Sequence, residues 1–127
     1  MEKRVNNVVS RAVENDIPLI YLNLVGGQDE LIFDGGSFAV NNDGQLACQL
    51  PMFETFDGVI EIENNSSSLK ISSMHIFKDQ TGYESLYSAI MLSLRDYVTK
   101  NSFKNVILGL SGGIDSALVS AVAVDAL

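Results

Sequence analysis

The chain has 127 residues, a formal net charge of −8 and a sequence pI near 4.4. That charge argues against a nucleic-acid surface or an anionic membrane as partner. No run of 18 apolar residues and no apolar leader occurs, and the single cysteine cannot form an internal disulfide. These features fit a reducing compartment, read as cytoplasmic. Hydrophobic residues make up 46% of the chain, enough for a core.

The first element is a helix: Val5, Val8, Val9, Ala12 and Val13 recur at i, i+3, i+4, i+7 and i+8, and Asn15 to Pro18 ends it. Pro18 to Val25 reads as a strand, apolar enough to be buried on both faces. Gly26 to Glu30 reads as a turn, Leu31 to Phe33 resumes a strand, and Asp34-Gly35-Gly36 breaks it. Ser37–Val40 and Gln45–Leu50 flank Asn41-Asn42-Asp43-Gly44, a hairpin signal. Residues 56–63 alternate as an edge strand does, and the polar run Asn64 to Ser68 reads as a solvated loop. Leu69 to Met74 has extended character.

A second helix follows. Thr81-Gly-Tyr-Glu84 has the form of a capping box, and Tyr83, Leu86, Tyr87, Ile90, Met91, Leu94, Tyr97 and Val98 form its apolar stripe. Lys100 and Lys104 suit the negative end of its dipole. Asn105 to Leu110 then reads as a buried strand, Ser111-Gly112-Gly113 as a tight loop, and Ile114 onward as another helix. Strand, glycine loop and helix make a phosphate site. Glycines let the backbone approach an anion, and the first helical N–H groups lie unpaired at the positive end of the dipole.

The loop has no lysine of the G-x-x-x-x-G-K-[ST] kind, and its glycines at 109, 112 and 113 do not fit G-x-G-x-x-G. It does fit S-G-G-x-D-S, at Ser111, Gly112, Gly113, Asp115 and Ser116. Five fixed positions at a background of about 6% each give a chance match on the order of 10⁻⁶ per position. The phosphate-binding residues are therefore read as Gly109, Leu110, Ser111, Gly112, Gly113, Ile114, Asp115 and Ser116. Backbone N–H groups of Gly112, Gly113 and Ile114 would hold a phosphate group, with donation from Ser111 and Ser116. A carboxylate beside phosphate needs a cation between them, so Asp115 is read as a Mg²⁺ ligand. Its alternative is a simple helix N-terminal carboxylate.

The S-G-G-I-D-S loop resembles the PP-loop ATP pyrophosphatases. With Leu92-Ser-Leu-Arg-Asp-Tyr-Val before it, the stretch is similar to the start of the synthetase domain of glutamine-dependent NAD⁺ synthetases. Asn23 to Ser37, with Phe33, Gly35 and Ser37 in an F-x-G-x-S pattern, resembles their nitrilase-type (carbon–nitrogen hydrolase) amidase domain. The resemblance implies an α/β chain: the tail of a nitrilase-like sandwich at 1–63, a linker at 64–80, and the first helix–strand–loop–helix of a doubly wound PP-loop domain at 81–127. It also implies ATP, Mg²⁺, deamido-NAD⁺ and glutamine or ammonia as ligands, and homo-oligomerisation. Another PP-loop amidotransferase and a non-catalytic interaction fragment remain as alternatives. The family's Glu–Lys–Cys triad is expected upstream of Met1, so no catalytic residue is assigned. Cys48 reads as packing, His75 as surface, and the Asp29–Glu30 pair as solvated or capping.

Both ends read as cut through an element, so the chain is expected to be a piece spanning a domain junction. The purified 127-residue chain is expected to show neither glutaminase nor synthetase activity; glutamate release from glutamine would contradict this.

Overall fold

The computed structural model describes residues 2–65, 68–72 and 75–127. In chain order the elements are α1 (Glu2–Asn15), β1 (Leu19–Tyr21), β2 (Val25–Gln28), β3 (Leu31–Asp34), β4 (Phe38–Val40), β5 (Leu46–Gln49), β6 (Glu61–Asn65), β7 (Ser68–Ser72), α2 (Gly82–Lys100) and α3 (Ile114–Ala126). The chain is a mixed α/β structure of two compact units. Met1–Leu24 with Gly35–Asp79 forms one, and Val25–Asp34 with Gln80–Leu127 forms the other.

In the first unit, β1, β4 and β5 form an antiparallel sheet in that order. Phe38 and Val40 project from one face onto Ala12, with Val5, Val8 and Val9 of α1 packed around them. This is the helical stripe read from the sequence, and Val13 lies at its exposed margin. Asp16 at φ 53° ends α1, where Asp16 N–H donates to Val13 O and Ile17 N–H to Ala12 O, a Schellman turn. Ala39, Ala47, Cys48 and Ile71 form the core on the other side. Gly44, at φ 82°, closes the β4–β5 hairpin.

A buried side chain ties this hairpin to β7. Asn41 accepts from the Ile71 N–H at 2.8 Å and donates to its carbonyl at 3.2 Å, pairing both backbone groups as a neighbouring strand would.

Several expectations change. The strand at 18–25 is short and is not buried on both faces, since Ile20 and Leu22 are exposed. Among the described residues β1 pairs only with β4, and the side that carries Ile20 is left open. Asn64 and Asn65 lie in β6, paired with Leu69 and Ser68, rather than in a loop. Ser66 and Ser67 of that expected loop, and Ser73 and Met74 of the expected extended run, lie outside the described residues. Gly26 and Gly27 are strand, not turn; the turn is at Asp29, with φ 52°.

The second unit explains those glycines. β2 and β3 form an antiparallel hairpin that packs on α2. A Cβ on Gly27 would lie 3.1 Å from Ser93 Cα, and one on Gly26 would lie 2.9 Å from Asp96 Oδ2. Gly26 also sits at φ 141°, which other residues rarely adopt. At that close approach Gly27 N–H donates to Asp96 at 2.8 Å, and Lys100 Nζ donates to Gly27 O at 2.5 Å. Asp96 and Lys100 pair at 3.0 Å.

The rest of α2 departs from expectation. Thr81 is its N-cap but makes no side-chain capping bond, so the capping box does not close. Leu92 is buried, whereas Tyr83, Leu86, Ile90 and Tyr97 of the expected stripe are exposed. Ile90, Leu94 and Tyr97 instead face a cavity of about 760 Å³, shared with Ile32, Leu118 and Val122.

Asn41→Ala should lower stability by about 1–3 kcal/mol, because the Ile71 N–H and C=O lose their partner in a buried place. The urea midpoint measures this, and an unchanged midpoint would contradict it. A second prediction concerns acid. Partial burial alone would push the Asp96 carboxyl up, but the Gly27 N–H and Lys100, aided by Arg95, hold it below the usual range. A depressed folded-state pKa stabilises above the unfolded value of about 3.9, and that stabilisation is lost as pH falls through the folded value. Asp96→Asn should therefore flatten this part of the acid limb of the stability curve. Superimposable acid limbs would refute it.

Candidate functional site

The residues from Gly109 to Ser116 form a continuous exposed segment, with only Ser116 partly covered. It follows α2, which ends at Lys100, and includes the first turn of α3. Gly113 is the N-cap of α3, extended at φ −85° and ψ 163°. The helical ladder opens with the Ala117 N–H on Gly113 O at 3.2 Å. The N–H groups of Ile114, Asp115 and Ser116 precede that bond and carry the positive end of the helix dipole. Gly112 lies at φ 85°, with open space where a Cβ would stand. The backbone conformation, not crowding, is what calls for glycine there.

The structure brings the two serines together across the loop. Ser111 Oγ and Ser116 Oγ lie 3.0 Å apart, and Ser116 Oγ donates to Gly113 O at 3.0 Å. A hydroxyl has one proton. With the Ser116 proton on Gly113 O, the Ser111 proton points to Ser116 Oγ. Both protons are then used within the loop, and donation to a phosphate requires both hydroxyls to rotate. Asp115 stands in the first turn of α3, exposed, with no ion pair or hydrogen bond among the described residues. No group of three or more metal-ligating side chains occurs among the described residues. A lone, open carboxylate suits Mg²⁺, which is commonly held by one or two carboxylates, phosphate oxygens and water.

The expected strand at Asn105–Leu110 is not formed. The segment carries no assigned secondary structure and is unpaired among the described residues, and Ile107 is 99% exposed. A strand needs a neighbour for its N–H and C=O groups, and none of the described strands lies beside this one. The loop is nonetheless held at both flanks. Phe103 N–H donates to Val98 O and Ser102, at φ 59°, closes the end of α2. Arg95 donates to Ala126 O at 2.9 Å, and Tyr87 donates to Asp125 at 2.6 Å, fastening α3 to α2. That bond to Asp125, with partial desolvation and the carboxylate's charge, raises the Tyr87 pKa.

The residues set aside in the sequence fall as follows. Cys48 is 1% exposed within the Ala39–Ala47–Ile71 core. His75 is exposed and lies against Phe56 and Phe77. Asp29 and Glu30 are exposed at the tip of the β2–β3 hairpin. Sequence reasoning missed the clamp of Asp96 and Lys100 on Gly27. Its traces were present as a Gly-Gly pair and an i, i+4 Asp–Lys pair, but their 69-residue separation is bridged only by folding.

The NAD synthase family model matches residues 86–127. Glutamine-dependent NAD(+) synthetase of Rhodobacter capsulatus is 46% identical over 93% of this chain and 21% of its own length. The enzyme of that name from Acinetobacter baylyi is 41% identical over 99% of this chain and 23% of its own. In three dimensions, the glutamine-dependent NAD⁺ synthetase of Acinetobacter baumannii in complex with adenosine diphosphate superposes with a TM-score of 0.89. It is 38% identical, over 99% of this chain and 24% of that one. The chain thus spans about a fifth to a quarter of the length of these relatives. By sequence and by fold, nearly the whole of this chain is similar to a stretch of that length within glutamine-dependent NAD(+) synthetases.

Proposed function

We propose that these residues serve a longer enzyme that makes NAD⁺ from deamido-NAD⁺, ATP and glutamine-derived ammonia, and that Gly109–Ser116 is its pyrophosphate loop. The observation that carries this reading is the S-G-G-I-D-S loop, seated with Gly112 at positive φ on the N-terminus of α3. Residues 1–63 are assigned to the end of a nitrilase-like glutaminase domain, 64–80 to a linker, and 81–127 to the start of a doubly wound PP-loop domain. Residues 105–110 become a strand of that domain when parallel neighbours pair with them. The enzyme would act in the cytoplasm as a homo-oligomer.

In the reaction, the nicotinate carboxylate attacks the α-phosphorus of ATP. The bond to the β-phosphate oxygen breaks, and pyrophosphate leaves with the electron pair. Ammonia then attacks the acyl adenylate, the C–N bond forms, and AMP departs with release of a proton. Negative charge builds on the departing pyrophosphate. The unpaired N–H groups at the start of α3 and the rotated hydroxyls of Ser111 and Ser116 would stabilise it there. Asp115 would hold Mg²⁺, which supplies charge neutralisation to the phosphates when bound.

In the full-length enzyme, Asp115→Asn and Gly112→Val should each lower ATP-dependent NAD⁺ formation by about 10²-fold or more, while leaving glutamine hydrolysis intact. NAD⁺ formation at the unaltered rate in both variants would overturn the assignment. Ser116→Ala should weaken ATP binding by roughly tenfold, one hydrogen bond to a charged group, readable by calorimetry.

A further inference from the structure

The β2–β3 hairpin is the one part of the proposed glutaminase half that folds within the second unit. Its neck is closed by the Gly35 N–H donating to Leu24 O at 2.9 Å. Its far part is held by α2, the helix that runs into the phosphate loop. The hold is specific. Asp96 takes the N–H of Gly27 and Lys100 the C=O of the same residue, and the two side chains pair with each other. Two adjacent glycines bring the strand within reach of Ser93 and Asp96, so close that a Cβ on Gly27 would stand 3.1 Å from Ser93 Cα. Neither Asp96 nor Lys100 belongs to the loop, and among the described residues their hydrogen bonds and ion pair go to Gly27 and to each other, so the clamp supplies no bond to the phosphate site.

We propose that Asp96 and Lys100 are positioning residues that couple the two activities, holding the hairpin on α2 so that ammonia released from glutamine is used for amidation. The proposal rests on the functional reading above. It distinguishes two routes that share the loop. Synthesis from free ammonia needs only the nucleotide site. Synthesis from glutamine needs the hairpin docked as well, and displacement of a positioning contact by about an ångström can cost on the order of 10²-fold in rate.

The test compares the two routes in the full-length enzyme. Asp96→Ala should lower glutamine-dependent NAD⁺ formation by about tenfold or more, with ammonia-dependent formation changed by less than about twofold. Lys100→Met, which removes only the donor to the Gly27 carbonyl, should give a smaller split in the same direction and serves if Asp96→Ala does not fold. Parallel loss of both activities, or loss of neither, would overturn the coupling. An unaltered enzyme that makes no NAD⁺ even from ammonia would instead sink the functional reading, and the coupling with it.

Discussion

The contact on which the docking of the β2–β3 hairpin depends is the approach of one glycine backbone to one helix. Gly27 lies so near Ser93 that a methyl group would press on the helix backbone. Such closeness buries peptide groups, and buried peptide groups must be paired. Asp96 and Lys100 supply that pairing from a single helical turn, since residues four apart share a face. The same carboxylate then serves twice, accepting from a backbone amide and from an ammonium. Its acidity follows from that double use: two donors outweigh the cost of partial burial.

From this anchor the geometry passes along α2. The helix ends at a left-handed residue, Ser102, and the chain crosses to α3 through an exposed segment. Arg95 and Tyr87 return from α2 to fasten the far end of α3. The phosphate loop therefore hangs between two helices that are tied to each other. Its own internal order comes from two serine hydroxyls and one glycine at positive φ. Ser111 donates to Ser116 and Ser116 to the Gly113 carbonyl, so both hydroxyl protons are used within the loop until they rotate toward an anion.

Much of this was legible in the residues. The valine stripe of α1, the Asp43-Gly44 hairpin, the packing role of Cys48 and the start of α3 follow from period, turn chemistry and the absence of a basic partner. The capping box did not close, although Thr81 takes the N-cap position, because the pattern permits a hydrogen bond without compelling one. Gly26-Gly27 looked like a turn because glycine marks turns and close approaches alike, and only the neighbour distinguishes them. Asn41 looked like a loop residue, yet it pairs with a backbone 30 residues away.

By itself the sequence determined what each local segment could be: where helices start and stop, where the chain can turn left-handed, and which loop can face a phosphate. These are set by residues within a few positions of one another. Only the tertiary structure decided which segments meet. Whether Asn105–Leu110 is a strand depends on a partner, since a ladder needs two chains of peptide groups and an apolar run supplies one. Whether Asp96 is a surface charge or a clamp depends on Gly27, 69 residues away. Spacing along the chain constrains torsions; it does not say which distant backbone will arrive.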